Sequence, residues 1–116
     1  MDALTIPALR RAIETRDGRT LAGFYAEDAV LRIIDQDNPP ARPFEMKGRA
    51  AIAAYFDDVC GRTMTHRVDF GIAEGDRVAF TQTCTYPDGN RVVCAATLEL
   101  LGGKIVRQTA VQAWDA

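Results

Sequence analysis

The stretch RVAFTQTCTYPDGNRVVCAATLELL, residues 77–101, decides the fold class. Two β-rich runs flank Pro87-Asp88-Gly89-Asn90, a cluster of turn residues in which Gly and Asn accept positive φ at little cost. Side chains alternate along a strand, so each run has two faces. Val78, Phe80, Gln82, Cys84 and Tyr86 oppose Arg77, Ala79, Thr81, Thr83 and Thr85. Val92, Cys94, Ala96, Leu98 and Leu100 oppose Arg91, Val93, Ala95, Thr97 and Glu99. The pattern predicts an antiparallel hairpin with one apolar face.

Working outward, residues 63–73 lead into Glu74-Gly75-Asp76, and Gly102-Gly103 opens residues 104–114. Short turns of this kind extend the hairpin to a meander of four strands. In the first, Met64, His66, Val68, Phe70 and Ile72 are expected on the covered face. The last is ambiguous, with Ile105, Arg107, Thr109 and Val111 opposing Val106, Gln108, Ala110, Gln112 and Trp114.

Upstream of residue 63 the apolar period becomes helical. Leu4 to about Thr15 carries Leu4, Ala8, Leu9, Ala12 and Ile13 at helix spacing, with Pro7 tolerated in the first turn. A second short helix is expected from Thr20 to about Tyr25. A third runs from Arg49 to about Cys60, between Gly48 and Gly61, with Ile52, Tyr55, Phe56 and Val59 as its stripe. Between them, Asp28 to Ile34 reads as a strand and Asp35 to Pro43 as a Pro-rich loop. Helices followed by consecutive hairpins predict an α+β fold, in which the three helices lie on one face of a curved antiparallel sheet of four long strands and one short one.

The chain has 116 residues, 47% hydrophobic and 26% charged, with a net charge of −2. One domain over residues 1–116 is expected. The charge offers no footprint for nucleic acid, and no apolar run reaches the ~20 residues of a membrane helix. Met1-Asp2-Ala3-Leu4 lacks the basic and apolar regions of a secretory leader. Cys60, Cys84 and Cys94 are odd in number and show no CxxC spacing, so free thiols, buried as small hydrophobes, and a cytoplasmic location are expected.

The alternate face of the meander is small and mostly uncharged, with Ala79, Thr81, Thr83, Val93, Ala95 and Thr97. Two readings fit it: a second subunit packed there in a symmetric dimer, or ordinary solvated threonines.

Phe24-Tyr25-Ala26-Glu27-Asp28-Ala29, then Gly48-Arg49-Ala50-Ala51-Ile52-Ala53-Ala54-Tyr55-Phe56, then Gly103-Lys104-Ile105-Val106-Arg107 and Gln112-Ala113-Trp114 occur in an order and spacing that resemble the SnoaL-like family. That family lies within the nuclear transport factor 2-like superfamily, beside ketosteroid isomerases and polyketide cyclases. The resemblance implies a cone-shaped sheet, a homodimer through the outer sheet face and a ligand cavity between helices and sheet. It also turns Gln108, Ala110, Gln112 and Trp114 inward, together with Phe80, Gln82, Cys84, Ala96 and Leu98. The isomerases' acids do not carry over: their base aligns with Ile33, two residues before Asp35, their second acid with Ala96 or its vicinity, and their tyrosine with Leu9.

His66, the single histidine, titrates near neutrality and is one candidate proton carrier. Asp35, expected at the cavity mouth, is the other, although Asp35-Gln36-Asp37-Asn38 also has the chemistry of a local turn. Gln82, Gln108 and Gln112 face inward and need partners, because an unpaired buried amide costs about 1–3 kcal/mol. Tyr25, Tyr55 and Trp114 offer flat apolar area with a polar tip, and Phe80 and Ala96 complete the expected pocket. No metal cluster, phosphate loop or dinucleotide fingerprint is present, so neither metal nor cofactor is expected.

Two functions are consistent with these residues. One is a cofactor-independent isomerase, cyclase or hydrolase acting on a small hydrophobic carbonyl compound, with His66 and Asp35 sharing acid–base work and Gln82 and Gln108 positioning the ligand. The other is a non-catalytic module for ligand binding or dimerisation.

Overall fold

A computed structural model describes residues 4–115; Met1-Asp2-Ala3, part of the stretch expected not to be a secretory leader, and Ala116 lie outside it. Thr5 caps the first helix, α1 (Ile6–Glu14), by accepting from Ala8 N at 3.1 Å, and Pro7 sits in the first turn. Asp17 caps α2 (Gly18–Gly23) with both carboxylate oxygens, taking Thr20 N at 3.1 Å and Thr20 Oγ1 at 2.6 Å. Such side-chain caps satisfy amides that a helix start leaves open. The third helix, α3 (Arg49–Cys60), is entered through Gly48 at φ 94°, a conformation a side chain would strain.

The strands are β1 (Tyr25–Ile34), β2 (Phe44–Lys47), β3 (Thr65–Glu74), β4 (Arg77–Thr85), β5 (Arg91–Leu101) and β6 (Lys104–Trp114). They form one sheet in the order β2-β1-β6-β5-β4-β3. The meander β3–β6 is antiparallel as expected. Two features go beyond the expectation. The first strand is ten residues long and pairs with β6 in parallel, and β2 folds back antiparallel on β1.

Two bulges settle which faces are covered. In β3 the register slips between Val68 and Phe70, so Asp69 is an extra residue. Val68 is buried while Phe70 and Ile72 are 63% and 56% exposed. The expected face Met64–His66–Val68–Phe70–Ile72 therefore breaks at the bulge, because one inserted residue reverses the alternation beyond it. Gly71 then faces the helices: a Cβ there would lie 3.0 Å from Ile6 Cδ1 and Cγ2. In β6 a slip near Val106 turns both Ile105 and Gln108 inward, which is why neither alternation of that strand was cleanly apolar.

From β4 to β6, the inner face consists of successive cross-strand rows. Val78, Leu98, Gln108 and Leu31 form one, and Phe80, Ala96, Ala110 and Ile33 the next. All eight are buried, and with Leu9, Ile13, Phe24 and Ile52 from the helical side they make a packed base. Two further rows, Val68–Gln82–Cys94–Gln112 and His66–Cys84–Val92–Trp114, lie towards the other end of the sheet.

Candidate functional site

Those last two rows, apart from the core residue Val68, line a cavity that α3 closes. An inner chamber of about 80 Å³ is walled by Tyr55, Phe56, Gln82, Cys94, Gln112 and their neighbours. It shares Tyr55, Val59, His66, Cys84, Val92 and Gln112 with a vestibule of about 350 Å³. That vestibule volume is at the small end of the roughly 300–1,000 Å³ usual for ligand sites.

The polar groups of the inner chamber are uncharged. Among the described residues its walls include no Asp, Glu, Lys or Arg. Burial pushes the Tyr55 hydroxyl up to about 12, with the Gln112 side chain partly offsetting it. Burial likewise raises the Cys94 thiol to about 12. Among the described residues, the charge at this cavity lies in the vestibule, already paired. Arg62 meets Asp58 at 2.6 Å and donates to Tyr86 Oη at 3.2 Å, while Arg91 Nε stands 3.8 Å from Asp115 Oδ2, which also accepts from Arg91 N at 2.9 Å. Trp114 and Asn90 complete the entrance.

His66 is half-buried on the wall, and its Nδ1 lies 3.0 Å from Cys84 Sγ. Its Nε2 is covered and has no partner among the described residues. Burial, and then the cation of Arg16, lower its pKa below the ordinary value, so the ring is neutral at pH 7. The carboxylate of Glu14 is committed instead to Val68 N, at 2.9 Å. Burial, followed by Asp69, pushes the Cys84 thiol up to about 11, and Cys84 Sγ is 3.6 Å from Gln82 Oε1.

The structure thus gathers His66, Tyr55, Gln82, Gln112 and Trp114 around one cavity. Five other expected residues lie elsewhere. Asp35 lies at a turn after β1, where its Oδ1 accepts from Asp37 N, Asn38 N and Asn38 Nδ2, each at 2.9 Å. It lines neither chamber, which corrects its expected place at the mouth: its carboxylate holds a local turn. Tyr25, Phe80, Ala96 and Gln108 sit in the packed base, not on the walls. Here the Tyr25 hydroxyl donates to Gln108 Oε1, so these two inward polar groups satisfy each other.

Cys84 is the residue that sequence reasoning left in the core and the structure brings to the site. Its alternation with Phe80 and Gln82 put it on the right face, but its pairing with His66 depends on the bulge. A bulge-free ladder set by Glu74↔Arg77 would place Cys84 opposite Arg67; the extra Asp69 moves it opposite His66.

With sheet, helices and cavity in place, comparison with known proteins is decisive on one point. A SnoaL-like domain profile matches residues 7–108. The chain belongs to the SnoaL-like family. No curated protein matches this SnoaL-like chain. Solved structures resemble it over most of its length. An NTF-2 like protein of unknown function from Burkholderia xenovorans LB400 is 19% identical with a TM-score of 0.79, covering 96% of this chain and 81% of that one. An NTF2-like protein of unknown function from Mesorhizobium loti is 18% identical with a TM-score of 0.75, covering 96% and 88%. A protein with a ketosteroid isomerase-like fold from Catenulispora acidiphila DSM 44928, in complex with trimethylamine, is 18% identical with a TM-score of 0.66, covering 90% and 82%. At these identities the likeness is one of fold, and fold does not carry activity.

Proposed function

We propose that this SnoaL-like protein binds a small, uncharged, hydrophobic carbonyl compound in the cavity between α3 and the β3–β6 end of the sheet. The observation that carries this reading is the inner chamber, whose polar wall groups are amides, a hydroxyl, thiols and a neutral imidazole. A charged ligand group entering it would lose hydration with no opposite charge to replace it, whereas a carbonyl oxygen finds the amide N–H groups of Gln82 and Gln112. Tyr55 and Trp114 supply flat apolar area beside them.

Native mass spectrometry of the purified protein tests the reading. A neutral small molecule is expected to co-purify, with occupancy reduced in Gln112→Leu, since one hydrogen bond of about 1.4 kcal/mol is tenfold in affinity. A charged ligand, or occupancy indifferent to Gln112, would count against it.

A second reading, acid–base catalysis on that compound, is favoured by one observation: His66 is a neutral ring on the cavity wall. Asp35 takes no part, because its carboxylate is engaged in its own turn.

The same proposal extends to assembly as a homodimer through the outer sheet face. Val93 and Val111, both 48% exposed, lie on that face with Phe70, Ile72 and the small residues Ala79, Ala95 and Thr97. Three free thiols, Cys60, Cys84 and Cys94, agree with a reducing, cytoplasmic setting. No helix of the described residues is long and apolar enough to cross a membrane.

A further inference from the structure

We propose that Cys84 and His66 form a nucleophile–base pair that captures an α,β-unsaturated carbonyl compound reversibly as a thioether. The inference rests on the cavity taking a carbonyl compound. A nucleophile and its base standing within hydrogen-bond reach are the usual geometric sign of covalent chemistry, and Cys84 Sγ lies 3.0 Å from His66 Nδ1 with both side chains on the walls of inner chamber and vestibule. Cys60 has no such partner among the described residues, and Cys94, though buried in the inner chamber, has no imidazole beside it.

The step balances within the pair and the ligand. The Sγ–H proton passes to His66 Nδ1 as sulfur bonds to the β-carbon of the enone. The carbon–carbon π pair shifts towards the carbonyl and leaves an enolate, whose oxygen takes hydrogen bonds from the Gln82 or Gln112 amides. The α-carbon then receives the proton from His66, which returns to its neutral form. No oxidant, reductant or metal takes part, and reverse elimination releases the ligand unchanged.

Burial sets the timing of the proton transfer. With its thiol pushed up to about 11, Cys84 rests as a thiol beside a neutral imidazole, whose Nδ1 takes the proton in the tautomer that carries its hydrogen on Nε2. The surroundings hold this state from several sides. Arg16 follows α1, Asp69 lies on β3, Tyr55 on α3 and Cys94 on β5, while the Glu14 carboxylate is turned to Val68 N. Thiolate then forms only when an electrophile is in place, which protects the residue from exposure-driven oxidation.

The test incubates the protein with 2-cyclohexen-1-one and maps modified cysteines by mass spectrometry, alongside a Trp114 fluorescence titration with the saturated cyclohexanone. Cys84 is expected to be modified at least tenfold faster than Cys94, at a rate that is flat from pH 7 to pH 9. His66→Gln should slow this at least tenfold at pH 7 and make the rate climb with pH towards 11. If the variant does not fold, the wild-type profile decides: a rate rising about tenfold per pH unit from 7 to 9 would overturn the pair. So would modification of Cys84 at an unchanged rate in His66→Gln. Saturable binding of cyclohexanone without modification of Cys84 would overturn the pair alone and leave the ligand site standing. Neither binding nor modification would remove both.

Discussion

The Tyr25 hydroxyl donates to the side-chain oxygen of Gln108 inside the packed base, tying the start of β1 to β6 across 83 positions of sequence. Both residues are buried, and burial pushes the tyrosine strongly upward from its ordinary range, so it remains a donor at any working pH. Tyr25→Phe leaves the Gln108 oxygen without that donor. A loss of about 1–3 kcal/mol is expected, read from denaturant midpoints, with Tyr25→Phe/Gln108→Leu costing less than the sum of the two single changes. Binding of a ligand in the cavity should be unaffected by either change.

Gly71 and Ile6 provide a second test, at the contact between β3 and α1. A Cβ at residue 71 would lie 3.0 Å from two Ile6 carbons, closer than such contacts normally allow. Gly71→Ala is expected to destabilise by about 1–3 kcal/mol, the ordinary cost of overpacking. Adding Ile6→Ala should recover part of that loss in thermal melts, because it removes the atoms in conflict.

The buried titratable groups define a stability plateau. His66 has a folded pKa below its unfolded value of 6.5, so the unfolded chain binds the extra proton on acidification. Its contribution is complete above pH 6.5 and is lost as pH falls through the lowered value. Cys84 and Cys94 shift the other way, from 9.0 to about 11 and about 12. Their contribution is complete below pH 9 and is lost as pH rises through those values. Melting temperatures should therefore fall on both sides of neutrality, and His66→Gln should flatten the acid limb only.

The outer sheet face gives a prediction about assembly. Val111 pairs with Ala95 near the middle of that face and is half-exposed. Val111→Arg should leave the circular dichroism spectrum intact and shift the protein from dimer to monomer in sedimentation, because a buried unpaired guanidinium is costly at an interface. A wild-type protein already monomeric at working concentration would remove the proposed dimer.

Much of this was legible in the sequence. The turn at 86–90 and the alternation on either side of it set the β4–β5 hairpin, and Gly48 and Gly61 marked the ends of α3. The cavity rows followed wherever alternation was unbroken. Bulges were not legible: neither Asp69 nor Val106 has a chemistry that announces an extra residue, yet each reverses a strand's facing. Pairing of His66 with Cys84 follows from the first, and burial of Ile105 beside Gln108 from the second. Strand β2 escaped because Phe44–Lys47 is four residues long, with a Pro-rich loop before it and Gly48 after it. Asp35 shows the opposite case, where the turn chemistry visible in Asp35-Gln36-Asp37-Asn38 is what the structure contains.

The central claim, an uncharged carbonyl ligand held between α3 and the β3–β6 end of the sheet, is tested most directly by filling the space. Trp114 fluorescence is followed while 1-tetralone is added to the wild type and to Val59→Phe, whose new ring would occupy the volume shared by the two chambers. Saturable quenching in the wild type, weakened at least tenfold in Val59→Phe and absent with the anionic 1-naphthoate, is the expected result. No saturable response to the ketone, or a response that Val59→Phe leaves unchanged, would contradict it.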